Sequence, residues 1–200
     1  DLETMELNTN RLLDLVNQLL DFRKTETQGF QLNFVECDVS ELLQKTYKRF
    51  KPLAREKGLA LSIETPESLY ASVDREGLTK IISNLLSNAL KYAKSTIRIT
   101  TIEKDSEIVV TVTDDGIGIT DQEKTKIFDA FYQVKNNSEI NKLGIGIGLH
   151  MTRSLVQLMN GKIEVSDREG GENGVSISVY FPKQAAITAL PQVAKRVEDT

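Results

Sequence analysis

Apolar side chains recur at heptad spacing in the first 22 residues of the chain. One heptad position holds Met5, Leu12 and Leu19, and the other holds Leu15 and Phe22, with polar Asn8 in place of an apolar residue. This spacing predicts a helix over residues 1–24 that offers one seam to a bundle or coiled coil. A helix packed on its own domain fits these few heptads as well. A polar run that ends at Gly29 predicts a joint over residues 25–32.

From residue 33 the pattern alternates between the periods of strands and helices. Strands are predicted at residues 33–38, 59–65, 70–73, 96–103, 107–113, 162–166 and 175–181, and helices at 39–57, 74–93 and 147–159. Several strand pairs are joined by short turns, such as the one at residues 104–106. We therefore expect a two-layer α/β sandwich over residues 33–183, with a mixed, mostly antiparallel sheet and about three helices on one face.

Residues with known capping preferences mark the ends of the predicted helices. Ser40 and Asp74 stand where N-caps are expected, while Gly58 and Gly161 follow the last helical residues of the first and third helices. Residues 184–200 lack apolar periodicity, so we expect a linker there.

Composition narrows the classes of function. The chain has 200 residues, 40% of them hydrophobic, and a net charge of −4. No apolar run approaches the roughly 18 residues of a membrane span, and scattered Lys and Arg offer no basic stripe for nucleic acid. Cys37 and His150 are the sole residues of their types, which excludes an internal disulfide, a zinc centre and a Ser-His-Asp hydrolase. Because the chain opens at Asp1 without a leader pattern, we expect a cytoplasmic segment of a longer protein.

The helix over residues 74–93 has one polar face with nucleotide-binding chemistry. Asn84, Asn88, Lys91 and Tyr92 share this face at helical spacing, and apolar residues fill the other. An amide oxygen of Asn88 suits Mg²⁺, which takes its remaining ligands from water and phosphate. Lys91 can neutralise phosphate, and Tyr92 offers a ring to a base. A merely solvated helix face is the alternative for this helix alone.

A strand ending in Asp114-Asp115-Gly116-Ile117-Gly118 brings a carboxylate to a turn. Asp114 accepts hydrogen bonds when ionised, which suits the exocyclic amino group of adenine. Gly116 and Gly118 allow a positive φ and the close approach of a ligand. A hairpin turn is the alternative, but residues 119–121 lead into a predicted helix instead of a returning strand.

Three glycines spaced by two precede or open the third predicted helix. Gly144, Gly146 and Gly148 leave amide groups unobstructed, and the positive helix end favours phosphate oxygens. The run is neither a Walker loop nor a dinucleotide fingerprint, because the required Lys-Ser/Thr and the preceding strand are missing. The Asn-rich residues 134–143 predict a lid, from which Lys142 can reach phosphate.

Four sequence blocks in this order resemble the catalytic ATP-binding domain of bacterial sensor histidine kinases. NLLSNALKY at 84–92 resembles the N box, DDGIG at 114–118 the first G box, IFDAFY at 127–132 the F box, and GIGIGL at 144–149 the second G box. The resemblance covers residues 1–183 and implies the Bergerat-type sandwich shared with gyrase, heat-shock-90 chaperones and MutL proteins. This fold agrees with the element order above.

The resemblance also implies roles for individual residues. Asn84, Asn88 and Lys91 would form the catalytic set, in which Asn88 binds Mg²⁺ and the other two lie beside phosphate. Asp114 would select adenine. Phe128 and Phe131 would anchor the lid, although two aromatic residues spaced by three on a helix also suit a plain core. The implied nucleotide contacts are Asn88, Lys91, Tyr92, Asp114, Gly116, Gly118, Ile119, Phe131, Lys142, Gly144, Gly146, Gly148, Leu149 and Ser176.

The resemblance makes residues 1–24 the second helix of a dimerisation and phosphoacceptor hairpin. The acceptor histidine of that family lies on the first helix, which this chain lacks, and His150 does not stand in its place. We therefore expect ATP binding, but no phosphotransfer without the hairpin of a homodimeric, membrane-bound sensor and its response regulator or receiver domain. Gln133 stands where relatives often carry Arg, which puts one phosphate contact in question.

Three other functions stay open. An ATP-hydrolysing relative would carry Glu four residues before the metal-binding Asn, and here that position is Asn84, which cannot act as a general base. A serine kinase of the anti-sigma type is disfavoured by the helix over residues 1–24. A non-catalytic nucleotide-binding scaffold is disfavoured by the intact boxes.

Overall fold

The computed structural model describes residues 31–134, 146–170 and 173–183, together with Met5, Thr9, Val16, Leu20 and Arg23. Its elements, in chain order, are β1 Phe34–Asp38, α1 Val39–Glu56, β2 Ala60–Glu64, β3 Tyr70–Asp74, α2 Arg75–Tyr92, β4 Thr96–Lys104, β5 Glu107–Asp114, α3 Asp121–Lys124, α4 Gly148–Leu158, β6 Lys162–Asp167 and β7 Val175–Pro182. The predicted order of helices and strands is confirmed.

Five strands form the main sheet in the order β2-β4-β5-β7-β6. β2 and β4 run parallel, and every other neighbouring pair is antiparallel. The central strand β5 ends at Asp114, which pairs with Ile97 on one side and Val175 on the other. β1 and β3 form a separate antiparallel pair, so the strands at 34–38 and 70–74 do not extend the main sheet.

One face of the main sheet packs against α1, α2 and α4, and alternation along the strands assigns side chains to the two faces. In β7, Val175, Ile177, Val179 and Phe181 are buried and belong to the core cluster with residues of the three helices. The opposite face carries hydroxyl groups in cross-strand contact, including Thr111 with Ser178. This two-layer arrangement confirms the expected α/β sandwich.

Aspartates cap the first two long helices. Asp38 accepts a hydrogen bond from the Glu41 N–H at 3.3 Å, and Asp74 accepts one from the Gly77 N–H at 2.6 Å. The Asp74 cap was predicted. The prediction that Ser40 caps α1 is wrong: Ser40 lies inside the first turn, and its hydroxyl contacts that of Thr65 at 2.9 Å. Asp38 takes the cap because its carboxylate also accepts from the Leu69 N–H and so joins the helix to β3.

The described residues near the N-terminus have helical backbone. The Thr9 hydroxyl donates to the Met5 carbonyl at 2.8 Å, one turn earlier, and Met5 is 67% exposed. The other seam residues, Leu12, Leu15, Leu19 and Phe22, lie outside the described residues, as does the tail at 184–200, so the seam and the linker stay predictions. Within the described part of the chain, no helix is long and apolar enough to cross a membrane.

Candidate nucleotide site

A cavity of about 260 Å³ opens between α2, the loop after β5 and the start of α4. We call it the α2–α4 cavity. Its floor is apolar and includes Val112, Val175 and Ile177 from the sheet. Its walls come from all three chain segments that the sequence predicted, so the boxes at 84–92 and 114–118 meet the described part, 146–149, of the box at 144–149.

The polar face of α2 forms one wall of the cavity. Asn84, Asn88, Lys91 and Tyr92 all line it, as their helical spacing predicted. The Lys91 ammonium nitrogen lies 4.9 Å from the centroid of the Tyr92 ring. A cation and an aromatic ring are therefore already in contact at one end of this wall.

Asp114 places a buried carboxylate at the end of the central strand. Its side chain is 7% exposed, and its Oδ1 accepts a hydrogen bond from the Gly116 N–H at 2.8 Å. Burial raises the pKa of Asp114 to about 6, because this N–H only partly offsets the loss of water. A carboxylate has two acceptor oxygens, so one such bond leaves acceptor capacity for a ligand donor.

Asp115, the next residue, has the opposite environment. Its carboxylate accepts from the backbone N–H groups of Lys94, Ser95 and Thr96 and from the Ser95 hydroxyl. Burial alone would raise the pKa of Asp115, but these hydrogen bonds outweigh it and hold the pKa below its usual range. Asp115 therefore fastens the α2–β4 connection instead of facing a ligand, a role that the sequence analysis missed.

The two glycines after Asp115 differ in what they permit. Gly118 has a φ of +74° and lines the cavity, as predicted. A Cβ at Gly116 would lie 2.4 Å from the Tyr92 carbonyl oxygen, and its φ is not positive. The close neighbour of Gly116 is thus the end of α2, which corrects the prediction that this glycine admits a ligand.

Gly174 completes this turn and was missed by the sequence analysis. It has a φ of +143°, and a Cβ there would lie 2.2 Å from the Asp114 carbonyl oxygen. The Gly-rich run at 170–174, just before the last strand, was the available signal. Gly174 lets the end of β5 sit close to the β6–β7 connection, which positions Asp114.

The N-terminus of α4 faces the cavity without a side-chain cap. Ile147 precedes the helix and makes no side-chain capping hydrogen bond, so the first N–H groups can bind an anion. Gly148 has open space where a Cβ would lie. Gly146 has a φ of +78°, and a Cβ there would lie 2.6 Å from the Tyr132 carbonyl oxygen. Lys142 and Gly144 lie outside the described residues.

Asn84 ties α2 to α4. Its amide nitrogen lies 3.4 Å from both the Gly148 carbonyl oxygen and the Thr152 hydroxyl. Thr152 is fully buried and donates to the same carbonyl at 2.9 Å. The predicted position of Asn84 beside the cavity is found, but its amide contacts protein acceptors. Thr152, four residues into the helix, carries no sequence signal for this contact.

The aromatic residues of the F box do not share one helix. Phe128 is 7% exposed, whereas Phe131 is 58% exposed with a φ of +67°. The chain turns after α3, and the Phe131 N–H donates to the Gly146 carbonyl at 2.9 Å. Residues 132–134, and not Phe131, line the cavity here. Phe131 is therefore absent from the cavity lining, which corrects its predicted nucleotide contact, and the anchoring of a lid by the two aromatic residues stays a prediction.

Three further predicted positions are placed by the structure. Ile119 and Leu149 line the cavity. Ser176 lies on the opposite face of the sheet, where its hydroxyl contacts that of Thr113 at 2.9 Å. Neighbouring β7 residues point to opposite faces, so the buried Val175 and Ile177 exclude Ser176 from the cavity. This corrects its predicted nucleotide contact. His150 contacts the Phe128 carbonyl through Nδ1 at 3.0 Å.

The donor set of the cavity fits a cation brought by phosphate. Among the described residues, no three His, Cys, Asp or Glu side chains are grouped to hold a metal ion. Asn88 offers one neutral oxygen on the cavity wall. Mg²⁺ keeps several waters and takes ligands from phosphates, so a single protein oxygen suffices for a nucleotide-bound ion.

A family model for histidine kinase-, DNA gyrase B- and HSP90-like ATPases matches residues 73–185 of the chain. The sensor histidine kinase TmoS of Ectopseudomonas mendocina is 34% identical over 186 residues, which are 92% of this chain and 19% of that protein. The chain spans less than a third of the length of the curated relatives it matches.

Solved structures show the same similarity in three dimensions. Full-length ShkA in complex with AMPPNP matches with a TM-score of 0.79 and 25% identity, over 92% of this chain and 39% of that one. The histidine kinase ThkA in complex with the response regulator protein TrrA matches with a TM-score of 0.69 and 26% identity, over 92% of this chain and 52% of that one.

Proposed function

The chain belongs to the family of histidine kinase-, DNA gyrase B- and HSP90-like ATPases, as a histidine kinase catalytic ATP-binding domain, and on this premise we propose that the α2–α4 cavity binds Mg-ATP and directs its γ-phosphate to a histidine on a dimerisation hairpin. One observation carries the proposal. The buried carboxylate of Asp114, the amide of Asn88 and the uncapped α4 N-terminus at Gly148 converge on one cavity.

The adenine end of the site is assigned to Asp114. A buried acceptor that keeps an open lone pair selects a base with an exocyclic amino group, because a base lacking that donor would leave the carboxylate unpaired. Tyr92, Ile119 and Leu149 supply the aromatic and apolar contacts that the faces of a base require.

The phosphate end is assigned to the start of α4, and Lys91, whose ammonium lies 4.9 Å from the centroid of the Tyr92 ring, is assigned to the boundary between the adenine and phosphate ends. The first N–H groups of α4 and the partial positive charge of its N-terminus hold phosphate oxygens in place. Asn88 would hold the Mg²⁺ that accompanies the nucleotide, and this ion would neutralise charge on the transferring phosphate. Lys142 and Gly144 stay predicted contacts at this end.

The acceptor histidine must come from a hairpin outside the described residues. We assign residues 1–24 to the second helix of that hairpin, with residues 25–32 as the joint and a homodimer as the assembly. The response regulator in the ThkA complex supports a receiver domain as the next phosphate acceptor for this chain too. Tethering the hairpin to the domain raises the effective concentration of the histidine near the phosphate.

An ATP-hydrolysing relative would carry a Glu at the position of Asn84. The contacts of Asn84 disfavour a carboxylate at that position. The side chain there meets a carbonyl oxygen and a hydroxyl that already donates to it. An amide donor satisfies these acceptors, whereas the carboxylate of a Glu would be repelled by the Gly148 carbonyl.

Transfer of labelled phosphate tests the proposal when a hairpin with an acceptor histidine is joined to the N-terminus of this chain. We expect label on the histidine, and a loss of at least about tenfold in rate for Asn88→Ala, since a metal ligand contributes directly to charge stabilisation. Asn33→Ala, at an exposed position outside the cavity lining and without a positive φ, is the matched control. Release of free phosphate alone would indicate a hydrolase, and binding without either reaction would indicate a scaffold.

A further inference from the structure

Helix α1 and its C-cap carry a dense group of exposed cations. Between residues 45 and 57 there are six basic side chains and one acidic one, and all six are exposed: Lys45, Lys48, Arg49, Lys51, Arg55 and Lys57. We call this surface the α1 basic face. The expectation that Lys and Arg are scattered along the chain is therefore wrong for this helix.

The α1 basic face contrasts with the charge of the rest of the protein. The segment has a net charge of +5 and the whole chain −4, so the remaining residues sum to −9. Lys48, Lys51 and Arg55 stand at helical spacing on one side of α1. Within the described part of the chain, the ion pairs of the face are limited to Lys45 with Glu41. Most of this positive charge is therefore not neutralised inside the domain.

Aromatic and polar neighbours hold several of these cations in place. The Arg49 guanidinium lies 5.3 Å from the Phe50 ring centroid and donates to the Ser83 hydroxyl of α2 at 2.5 Å. The Lys51 ammonium lies 5.4 Å from the Tyr47 ring centroid. These partners are uncharged, so they orient the cations without cancelling their charge.

The α1 basic face is separate from the α2–α4 cavity. No residue of α1 lines that cavity, because α1 packs against the other side of α2 and against β2. A molecule bound to α1 would therefore leave the nucleotide site open.

We infer that the α1 basic face docks an acidic patch on a partner protein. Complementary charge steers such encounters and selects among partners. A membrane surface fits less well, because Phe50 is buried and Leu53 is the one large apolar side chain that α1 exposes. A nucleic acid also fits less well, because a long polyanion extends beyond α1, and the rest of the chain has a net charge of −9. This inference goes beyond nucleotide binding and does not depend on it.

Binding of a labelled oligoglutamate tests the inference by fluorescence anisotropy. A peptide of about ten residues, about 33 Å when extended, covers the roughly 27 Å length of α1. Salt of about 0.15 M limits attraction to charges within about 8 Å. Vesicles containing phosphatidylserine and a short DNA duplex are titrated in parallel as the two competing classes of polyanion.

Two charge-reversed variants separate a local face from net charge. One carries Lys48→Glu, Lys51→Glu and Arg55→Glu, and the other carries reversals at three exposed basic residues elsewhere: Arg75→Glu, Lys104→Glu and Lys126→Glu. Both change the net charge equally. Thermal unfolding and a separate Mg-ATP titration check that each variant is folded and that the nucleotide site is unaffected.

We expect the unmodified chain and the control variant to bind the oligoglutamate equally, and the α1 variant to bind at least about tenfold more weakly, as for three lost ion pairs. Equal weakening in both variants, no weakening in the α1 variant, or no binding by the unmodified chain would overturn the inference. Tighter binding of vesicles or duplex than of oligoglutamate would also overturn it, in favour of a membrane or a nucleic acid.

Discussion

The N-termini of the three long helices differ in whether a side chain caps them. α1 and α2 begin at aspartates whose carboxylates accept backbone N–H groups of the first turn. α4 begins after Ile147 and has no side-chain cap. The capped ends join helices to strands, while the uncapped end faces the α2–α4 cavity. Backbone groups are thus satisfied where the fold is held together and left open where a ligand is proposed to bind.

Asp114 and Asp115 repeat this contrast within two residues. Asp115 is surrounded by donors from the α2–β4 connection, so its pKa is lowered. Asp114 is buried with one backbone donor, so its pKa is raised. The first arrangement stabilises the fold, and the second keeps an acceptor available in a dry cavity. Substitutions at each kind of position test whether the residues that stabilise the fold are distinct from those that bind a ligand.

Gly174→Ala is expected to give the largest effect on folding. The new Cβ would meet the Asp114 carbonyl oxygen at 2.2 Å in a backbone with a φ of +143°, at a cost of about 3 kcal/mol or more. Urea unfolding measures it. Gly148→Ala, with no atom within 4 Å of the new Cβ, should leave stability within about 1 kcal/mol. Equal effects of the two substitutions would contradict this account of the turn.

Asp115→Ala is expected to cost about 1–2 kcal/mol of unfolding free energy, because three backbone donors lose their acceptor. Asp115→Asn keeps an acceptor and should lose less. The lowered pKa means that this stabilisation is present above the unfolded pKa of 3.8 and is lost as pH falls below it. If Asp115→Ala is as stable as the unmodified protein at pH 7, Asp115 does not hold the α2–β4 connection in place.

The pH dependence of nucleotide affinity should follow Asp114. With a pKa of about 6, affinity should fall about twofold at pH 6 and about tenfold at pH 5, because the protonated acid loses an acceptor for adenine. Free-protein stability changes in the opposite sense: the contribution of this group is present below 3.8 and is lost as pH rises through about 6. Calorimetry of Asp114→Asn should show a flat profile; a fall matching the unmodified protein would assign the dependence elsewhere.

Ser176→Ala should give the smallest effect. Its hydroxyl contacts Thr113 on the sheet face opposite the cavity, so nucleotide affinity should change by less than about twofold. A tenfold loss of nucleotide affinity in the same titration would indicate that Ser176 does contact the nucleotide.

The periodicity of apolar residues and the order of the predicted helices and strands were sufficient to predict the two-layer α/β fold. Helical spacing placed Asn88 and Lys91 on one face, and alternation in the strands assigned core residues such as Ile177, because these patterns depend on local geometry. The order of the boxes then predicted that distant segments meet. Asp74 could also be predicted as a cap, since its preference is local.

The remaining site features depend on tertiary contacts that spacing does not encode. Position 116 requires a glycine because a Cβ there would clash with the Tyr92 carbonyl oxygen. Position 174 requires one because a Cβ would clash with the Asp114 carbonyl oxygen. Thr152 matters through the Asn84 amide, which comes from another helix. Each of these neighbours is distant in sequence from its partner, so no local preference reveals it.

Calorimetric titration with ATP and Mg²⁺ tests the central claim most directly, using the unmodified protein, Asp114→Ala and Asp115→Ala. We predict saturable binding that Asp114→Ala weakens by at least about thirtyfold, the value of one hydrogen bond to a charged group. Asp115→Ala, measured where it is folded, should bind within about threefold of the unmodified protein. Binding that survives Asp114→Ala, or falls equally in both variants, would contradict the separation of ligand and fold roles.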